Sequence, residues 1–342
     1  MRSVRRVVFI THGGPRIGLG HVKRCLALAK ALGREGAEVA FVASPDLGVA
    51  KVITSAGFDV DQRTWEGDPA AAHDALGNRD VDAVIVDAYT AGPEHFEAWR
   101  PRAGQLVAID DTGERCLPVD AVVNGGAGIE TLEYKVAPGT MLLLGPRYAL
   151  LDPIYGEAPP RAVRAGVERV LVTLGGSVHV DGVRAVVAAV DAVVDGARVD
   201  VAVGPFGGTA VLDGATRPGR NHVVLHGSLL DLRPLMLAAD LAVTGAGVTL
   251  YEAAATATPV VMVMAALNQQ RNVTAFERAR AALSAGPVSE PGLAARVRAA
   301  VSRLAGDPTL RTSLGAAGRR LVDGSGAHRV AEALATLPSA RR

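Results

Sequence analysis

Short β-rich apolar runs alternate with longer amphipathic segments, and this alternation constrains the fold more than any other feature of the sequence. In the first half, the runs Val7–Thr11, Glu38–Ala43, Ala83–Asp87 and Leu106–Ile109 have the length of strands. Between the first two, residues 21–34 carry apolar side chains at helical spacing. Strand, helix and strand in this order predict right-handed βαβ units around a parallel sheet.

A proline-rich break then interrupts the pattern between Gly145 and Pro160, and we interpret it as a linker between domains. The pattern restarts beyond it, with strands predicted at Val170–Leu174, Val199–Val203, Val223–Leu225, Leu241–Thr244 and Val260–Met264. Helices are predicted at 230–238, 247–256, 268–283, 291–305, 308–322 and 326–336. The 342 residues are enough for two domains.

The sequence therefore predicts an α/β protein with two doubly wound parallel-sheet domains that face a cleft. The predicted domains are 1–150 and 151–325. A C-terminal helix lies in 326–342, and its packing back on the first domain is left open.

Composition and charge exclude several classes of partner. The net charge is +1, from 36 basic and 35 acidic residues, so neither a nucleic acid nor an anionic membrane is an expected partner. No apolar run approaches the length of a membrane span, and Val7–Ile10 is too short for the core of a signal peptide. Cys25 and Cys116 fit two free thiols in a reducing compartment. We expect a cytoplasmic protein without membrane insertion, and a homodimer is left open.

In doubly wound sheets, ligands bind at the carboxyl ends of the strands, so loops that follow strands carry the most information. The first such loop is Gly13-Gly14-Pro15-Arg16-Ile17-Gly18-Leu19-Gly20-His21, which opens a helix. Glycines let the backbone approach a ligand, and a helix start offers free N–H groups. His21 is a candidate general base. The alternatives are a simple turn and a structural histidine.

The second loop is Thr244-Gly245-Ala246-Gly247-Val248-Thr249, followed by Glu252 one turn into the next helix. Its backbone N–H groups and the helix dipole suit a phosphate, while Glu252 suits the hydroxyls of a ribose. A charge at a helix start is the alternative role for Glu252. Asn268 and Gln269 follow a further strand and suit sugar hydroxyls, or else they cap the next helix.

Other polar residues receive simpler interpretations. Gly175-Gly176-Ser177 and Gly204 follow strands and allow close backbone approach, while Asp87-x-Tyr89 and Asp110-Asp111 end two strands of the first domain. Asp80-x-Asp82 precedes a strand and is interpreted as a surface turn, not a metal site. We expect His222 and His226 to be structural. The helices with Arg296, Arg298, Arg303 and Arg311 are expected to present solvated faces.

The motif I-G-x-G-H-x-x-R-C-L-x-L-A, from Ile17 to Ala29, resembles the start of the pseudaminic-acid-pathway UDP-sugar hydrolases and the spore-coat polysaccharide glycosyltransferase-like proteins. The second half is similar to the nucleotide domain of the peptidoglycan N-acetylglucosaminyltransferase. Further motifs of the resemblance are Leu144–Leu151, Leu174–Ser177, Gly245–Glu252, Asn268-Gln269 and Val322–Gly326.

This resemblance implies a GT-B fold with a UDP-sugar as donor substrate, no cofactor and no metal. It implies that His21 activates the nucleophile. The implied acceptor contacts are Gly18, Gly20, Arg16, Arg24, Tyr89, Asp111 and Arg147. The implied UDP contacts are Gly175, Gly176, Ser177, Gly204, Ser228, Leu229, Gly245, Ala246, Gly247, Val248, Thr249 and Glu252, and the donor sugar is assigned to Asn268 and Gln269.

The chain departs from the hydrolases where they bind the sugar and the nucleophile. Thr11-His12-Gly13-Gly14-Pro15 replaces R-x-D-x-S, Asp87-Ala88-Tyr89 replaces D-H-Y, and Asp152-Pro153-Ile154-Tyr155 replaces R-x-E-F. These departures favour an inverting glycosyltransferase with a small soluble acceptor. The cations Arg16, Lys23 and Arg24 suit an acidic sugar, for example a uronic acid moved to a nucleobase in nucleoside-antibiotic biosynthesis. A UDP-sugar hydrolase, a UDP-sugar 2-epimerase and a nucleotide-sugar sensor are the alternatives.

Overall fold

The computed structural model describes residues 5–15, 17–77, 80–129, 131–175, 180–204, 219–227, 229 and 231–338. It divides into two compact units. Unit 1 comprises Met1–Pro153 and Ser325–Arg342, and unit 2 comprises Ile154–Gly324. The chain thus leaves unit 1 once and returns to it for its last helix.

Unit 1 is built on a parallel sheet with the strand order β3-β2-β1-β4-β5-β7-β9. These strands are β1 (Arg6–Thr11), β2 (Glu38–Ala43), β3 (Asp59–Gln62), β4 (Val81–Asp87), β5 (Ala103–Ile109), β7 (Ala121–Asn124) and β9 (Met141–Leu144). A separate parallel pair joins β6 (Cys116–Leu117) to β8 (Lys135–Val136). The helices are α1 (Gly20–Arg34), α2 (Leu47–Ser55), α3 (Pro69–Ala75), α4 (Pro93–Trp99) and α11 (Gly326–Thr336).

Unit 2 is built on a second parallel sheet, with the order β12-β11-β10-β13-β14-β15. Its strands are β10 (Arg169–Thr173), β11 (Arg198–Ala202), β12 (His222–His226), β13 (Leu241–Gly245), β14 (Val260–Met264) and β15 (Leu283–Pro287). Its helices are α5 (Val180–Asp191), α6 (Arg233–Ala238), α7 (Val248–Ala255), α8 (Gln270–Arg278), α9 (Leu293–Gly306) and α10 (Pro308–Leu321).

Central strands are mostly apolar and buried, as expected where helices cover both faces of a sheet. Every residue of β13 and of β14 is buried, as is typical of a parallel sheet between two helical layers. In both sheets the strand order reverses beside the first strand, between β1 and β4 and between β10 and β13. This reversal opens a crevice at the carboxyl ends of those strands. The predicted α/β class, with two doubly wound parallel sheets, is confirmed.

One helix boundary and several short strands differ from the sequence prediction. The helix predicted over 268–283 ends at Arg278, and its last residue instead begins the edge strand β15. The strands β3, β6, β7, β8 and β9 were not predicted. They have two or four residues each, and β3 is mostly polar because it forms an exposed edge of the sheet.

The expectation that Arg311 lies on a solvated face is wrong. Its side chain is fully buried, and its guanidinium donates to the carbonyls of Leu304, Ala305, Arg164 and Ala165. These acceptors explain the burial, because they include carbonyls at the end of α9 that lack partners within the helix.

The structure also describes the predicted surface turn, the histidines of unit 2, the cysteines and the lengths of the helices. Asp82 lies inside β4 and not in a turn, although it is exposed at the amino end of that strand, where it accepts from the Arg6 N–H. His226 lies 2.8 Å from Asp200 within the sheet of unit 2. Both cysteines are free thiols, Cys25 buried and Cys116 exposed. No helix in the described part of the chain is long and apolar enough to span a membrane.

Candidate functional site

The loop between β1 and α1 folds back on itself and delivers His21 to the first turn of α1. The Gly14 and Gly18 backbones exchange two hydrogen bonds, of 3.2 and 2.7 Å. Gly18 has a φ of +83°, which a side chain would disfavour. Gly20 is the first residue of α1, so the predicted glycines shape the approach to His21. Arg16 lies outside the described residues.

His21 is paired with Asp87, a partner that the sequence analysis did not identify. The His21 Nδ1 lies 2.5 Å from the Asp87 Oδ1, and both side chains are buried. The pair forms because β1 and β4 are neighbours, with Thr11 directly beside Asp87 in the register. The Arg24 Nη2 also lies 3.0 Å from the His21 Nδ1, but Arg24 donates from this nitrogen to the Asp87 Oδ1 at 2.9 Å. An ionised carboxylate only accepts hydrogen bonds, so the shorter contact with Asp87 assigns the proton to Nδ1 and leaves the lone pair on Nε2.

Arg24 lies one helical turn beyond His21 and joins two carboxylates. Its Nε and Nη2 donate to the two Asp87 oxygens at 3.0 and 2.9 Å, and its Nη1 donates to the Asp111 Oδ2 at 3.0 Å. Burial alone would lower the pKa of Arg24, but Asp87 and Asp111 raise it. Arg24 therefore stays charged, and its charge is already compensated within the protein.

Two aromatic rings pack against His21. The Tyr89 and His12 rings meet it edge-on, with centroids 4.6 and 4.7 Å away. The Tyr89 hydroxyl donates to the Asp111 Oδ2 at 3.2 Å, and burial, reinforced by Asp111, raises the pKa of Tyr89 to about 12. Burial and the neighbouring His21 lower the pKa of His12, which keeps His12 neutral at pH 7. Its Nδ1 lies 3.5 Å from the Glu66 Oε1.

The other unit 1 candidates lie apart from this cluster. Asp110 is held by Arg115, by the Thr112 hydroxyl and by the Gly113 N–H, which indicates a structural role. Arg147 is exposed and follows β9, three strands from β4 and hence about 14 Å away at normal strand spacing. The structure thus brings Arg24, Tyr89 and Asp111 to His21 and leaves Arg147 at the edge of the sheet.

In unit 2, the Gly245-Ala246-Gly247 loop joins β13 to α7. A Cβ on Gly245 would lie 2.6 Å from the Leu174 carbonyl oxygen, so only glycine allows this approach of β13 to the end of β10. The Ala246 N–H donates to the Val263 carbonyl, and its own carbonyl accepts from the Asn272 Nδ2 at 2.9 Å. Ala246 therefore fixes the loop and does not offer its backbone to a ligand.

The start of α7 is the part of this loop that is open to a ligand. Gly247 is the N-cap, and Val248 and Thr249 begin the helix as half-buried residues. Free N–H groups and the helix dipole at such a start favour an anion. Glu252 lies in the following turn and is 6% exposed.

The amides that follow β14 lie beside the same loop. The Gln269 Oε1 accepts from the Ala265 N–H at 2.9 Å, and its Nε2 lies 3.4 Å from where a Cβ on Gly247 would stand. Asn268 is exposed. Asn272, which the sequence analysis missed, connects Ala246 to the Tyr251 hydroxyl, which lies 2.7 Å from its Oδ1.

Of the remaining predicted UDP contacts, some lie within the described residues and others do not. Gly175 has a φ of +101° and Gly204 follows β11, so both are strand-end residues, while Leu229 is half-buried. Gly176, Ser177 and Ser228 lie outside the described residues. The described part of the chain contains no group of three or more His, Cys, Asp or Glu side chains that would hold a metal ion.

No family model matches the chain. It is 25% identical over 338 residues to the spore coat polysaccharide biosynthesis protein SpsG of Bacillus subtilis (strain 168), covering 95% of this chain and 96% of SpsG. The calicheamicin glycosyltransferase CalG4 is similar in structure, with a TM-score of 0.64, 19% identity and coverage of 98% of each chain. Acinetobacter baumannii MurG has a TM-score of 0.67 and 16% identity, over 97% of this chain and 99% of MurG.

The two structural comparisons show that the chain has the GT-B fold. Together with SpsG, they confirm the resemblance to a GT-B glycosyltransferase-like family that the motifs indicated.

Proposed function

We propose that this chain, which has the GT-B fold and resembles SpsG along nearly its whole length, is an inverting glycosyltransferase that moves a sugar from a UDP-sugar to a small acceptor. The observation that carries the proposal is the buried His21–Asp87 pair at 2.5 Å, at the carboxyl ends of the unit 1 strands. A histidine whose Nδ1 is bonded to a carboxylate has the geometry of a general base.

The chemistry in unit 1 begins with the acceptor. His21 Nε2 removes a proton from an acceptor O–H or N–H, and the acceptor atom attacks C1 of the sugar. The bond from C1 to the UDP oxygen breaks, UDP leaves on the opposite side, and the configuration at C1 inverts. Asp87 stabilises the imidazolium that forms. Base assistance of this kind contributes about 10²–10⁴-fold to the rate.

Unit 2 supplies donor recognition in this proposal. The N–H groups at Gly247–Thr249 and the dipole of α7 receive the diphosphate, Glu252 accepts from the ribose hydroxyls, and Asn268 and Gln269 bind the sugar. The start of α7 neutralises the charge that develops on departing UDP, so we propose a metal-independent reaction.

Chelation tests the metal-independent mechanism. With excess EDTA, the transfer rate is expected to stay unchanged, and added Mg²⁺ or Mn²⁺ should not raise it. A rate that falls with EDTA and returns with either cation would show that a metal assists the departure of UDP.

The finer version of the proposal is transfer of a uronic acid to a nucleobase. It now rests on Arg16, since the Arg24 charge is compensated by Asp87 and Asp111 and Lys23 projects from another face of α1 than His21. It predicts that UDP-glucuronate binds better than neutral UDP-sugars and that Arg16→Ala removes this preference. Equal binding of the two kinds of donor would exclude it.

The overall proposal is tested by NMR of the purified protein with a panel of UDP-sugars and no acceptor. We expect saturable binding without turnover, followed by product formation when acceptors are added, beginning with nucleobases. Rapid release of UDP and free sugar that depends on His21 would instead identify a hydrolase. Incorporation of solvent deuterium into the sugar ring would identify an epimerase.

A further inference from the structure

Carboxylates outnumber cations among the described side chains around His21. Asp87 and Asp111 both contact Arg24, the single guanidinium of the cluster, and Glu66 adds a third carboxylate beside His12. Lys23 is two residues from His21 and projects from another face of α1. The neighbouring Arg115 is paired with Asp110. The surroundings of the base are therefore net negative within the described part of the chain.

Three buried polar atoms in this cluster lack hydrogen-bond partners among the described residues. The Asp111 Oδ2 accepts from Arg24 and Tyr89, whereas its Oδ1 is buried and accepts from no described group. His12 is 2% exposed, and neither ring nitrogen makes a hydrogen bond within the described chain. Buried polar atoms are normally hydrogen-bonded, so the Asp111 Oδ1 indicates a ligand that donates hydrogen bonds, and the neutral His12 ring offers one further donor and one acceptor.

We propose that the acceptor bound beside His21 carries no negative charge and donates hydrogen bonds, through hydroxyl or amino groups, to Asp111. Asp111 is then the residue that determines the charge of the acceptor. This inference rests on the proposed function and specifies its acceptor class. An anionic acceptor would meet like charge in a partly desolvated site, which is strongly unfavourable. Arg24 does not offset this, because its donors already face Asp87 and Asp111.

Matched probes that differ in charge test the inference on the full chain. One pair is uracil and orotate, which share a ring and differ by a carboxylate, and the other is nicotinamide and nicotinate, which share a ring and differ by an amide in place of a carboxylate. Dissociation constants are measured by ligand-observed NMR with the chain saturated with UDP and again without UDP. We expect the member without negative charge to bind about tenfold more tightly in each pair, since like-charge contacts cost more than this factor requires.

Two variants and a salt series test whether the binding preference depends on Asp111 or on the overall negative charge of the protein. Asp111→Asn is expected to reduce the preference severalfold, and Asp59→Asn, an exposed carboxylate on β3, is expected to leave it unchanged. In the unmodified chain, the preference should shrink as NaCl is raised, because salt screens charge. This salt series needs no variant, so the inference stays testable if Asp111→Asn fails to fold.

Different results would contradict the inference, the role of Asp111 and the proposed function. Equal binding within each pair, no binding of any probe, or tighter binding of the anionic member would overturn the inference. A preference that survives Asp111→Asn in a folded protein would overturn the role of Asp111. A chain that binds UDP without charge preference fails only this inference, whereas a chain that discriminates the probes but does not bind UDP fails the proposed function.

Discussion

Asp87 binds both His21 and Arg24, and this shared carboxylate is the residue that organises the candidate site of unit 1. His21 takes one of its oxygens, and Arg24 binds both. The sequence indicated His21 through its position at a helix start. It did not indicate the pairing, because Asp87 is 66 positions away and the order of strands in a sheet cannot be read from their order in the chain.

Asp87→Asn is predicted to slow transfer by between about 10²- and 10⁴-fold while UDP affinity stays unchanged. The amide allows the wrong His21 tautomer and cannot stabilise the imidazolium. Steady-state kinetics with UDP titration checks this. Asp82→Asn, at the exposed end of the same strand, is the matched control and should retain the rate. A loss of UDP binding in Asp87→Asn would point to a structural role.

Asp111→Asn is predicted to lower stability at neutral pH and to have less effect in acid. Burial alone would raise the pKa of Asp111, but Arg24 and the Tyr89 hydroxyl lower it below its ordinary value of 3.8. The stabilisation is therefore present above pH 3.8 and is lost as the pH falls through the lower folded-state value. It amounts to no more than about 1 kcal/mol, because the side chain is 36% exposed. Denaturant unfolding across pH measures it, and a difference that grows in acid would contradict the assignment.

At the scale of elements, strands and helices with clear periodicity were predicted well, and weakly patterned ones were not. The strand predicted at Glu38–Ala43 has the observed bounds. Residues 268–283 show no clear stop signal, so the end of α8 and the start of β15 were merged. The β13–α7 loop was predicted from its glycines, whereas the Asn272 bridge that fixes it depends on a contact between separate elements.

Two glycines of the β13–α7 loop are predicted to respond differently to alanine. Gly245→Ala places a methyl group 2.6 Å from the Leu174 carbonyl oxygen and should destabilise unit 2 by about 1–3 kcal/mol. Gly247→Ala meets only the Gln269 Nε2 at 3.4 Å, so the protein should fold normally and bind UDP more weakly. Thermal unfolding and UDP titration of both variants check this pair. Unchanged UDP affinity in Gly247→Ala would remove the start of α7 from the donor site.

At the scale of the whole molecule, the last helix belongs to the first unit. Within unit 1, α11 packs against α1, and a Cβ on Gly326 would lie 2.2 Å from the Ala149 carbonyl oxygen. Two doubly wound units were foreseeable because the strand–helix pattern stops and restarts. The membership of α11 in unit 1 was left open, because a helical pattern does not specify which surface the helix covers.

Deletion of residues 325–342 is predicted to destabilise unit 1 more than unit 2. Both tryptophans, Trp65 and Trp99, are buried in unit 1, so their fluorescence reports on that unit alone. We expect the fluorescence transition of the truncated chain to move to lower temperature, while circular dichroism retains a transition from unit 2. An unchanged fluorescence transition would show that α11 is dispensable.

The central claim is that His21 is the base of a sugar transfer, and the most direct measurement is the transfer rate of His21→Asn beside its UDP affinity. We predict a rate loss of about 10²–10⁴-fold with an unchanged dissociation constant for UDP, because the variant removes the base from unit 1 and leaves unit 2 intact. Transfer at the unmodified rate in His21→Asn would contradict the claim and leave the fold unaffected.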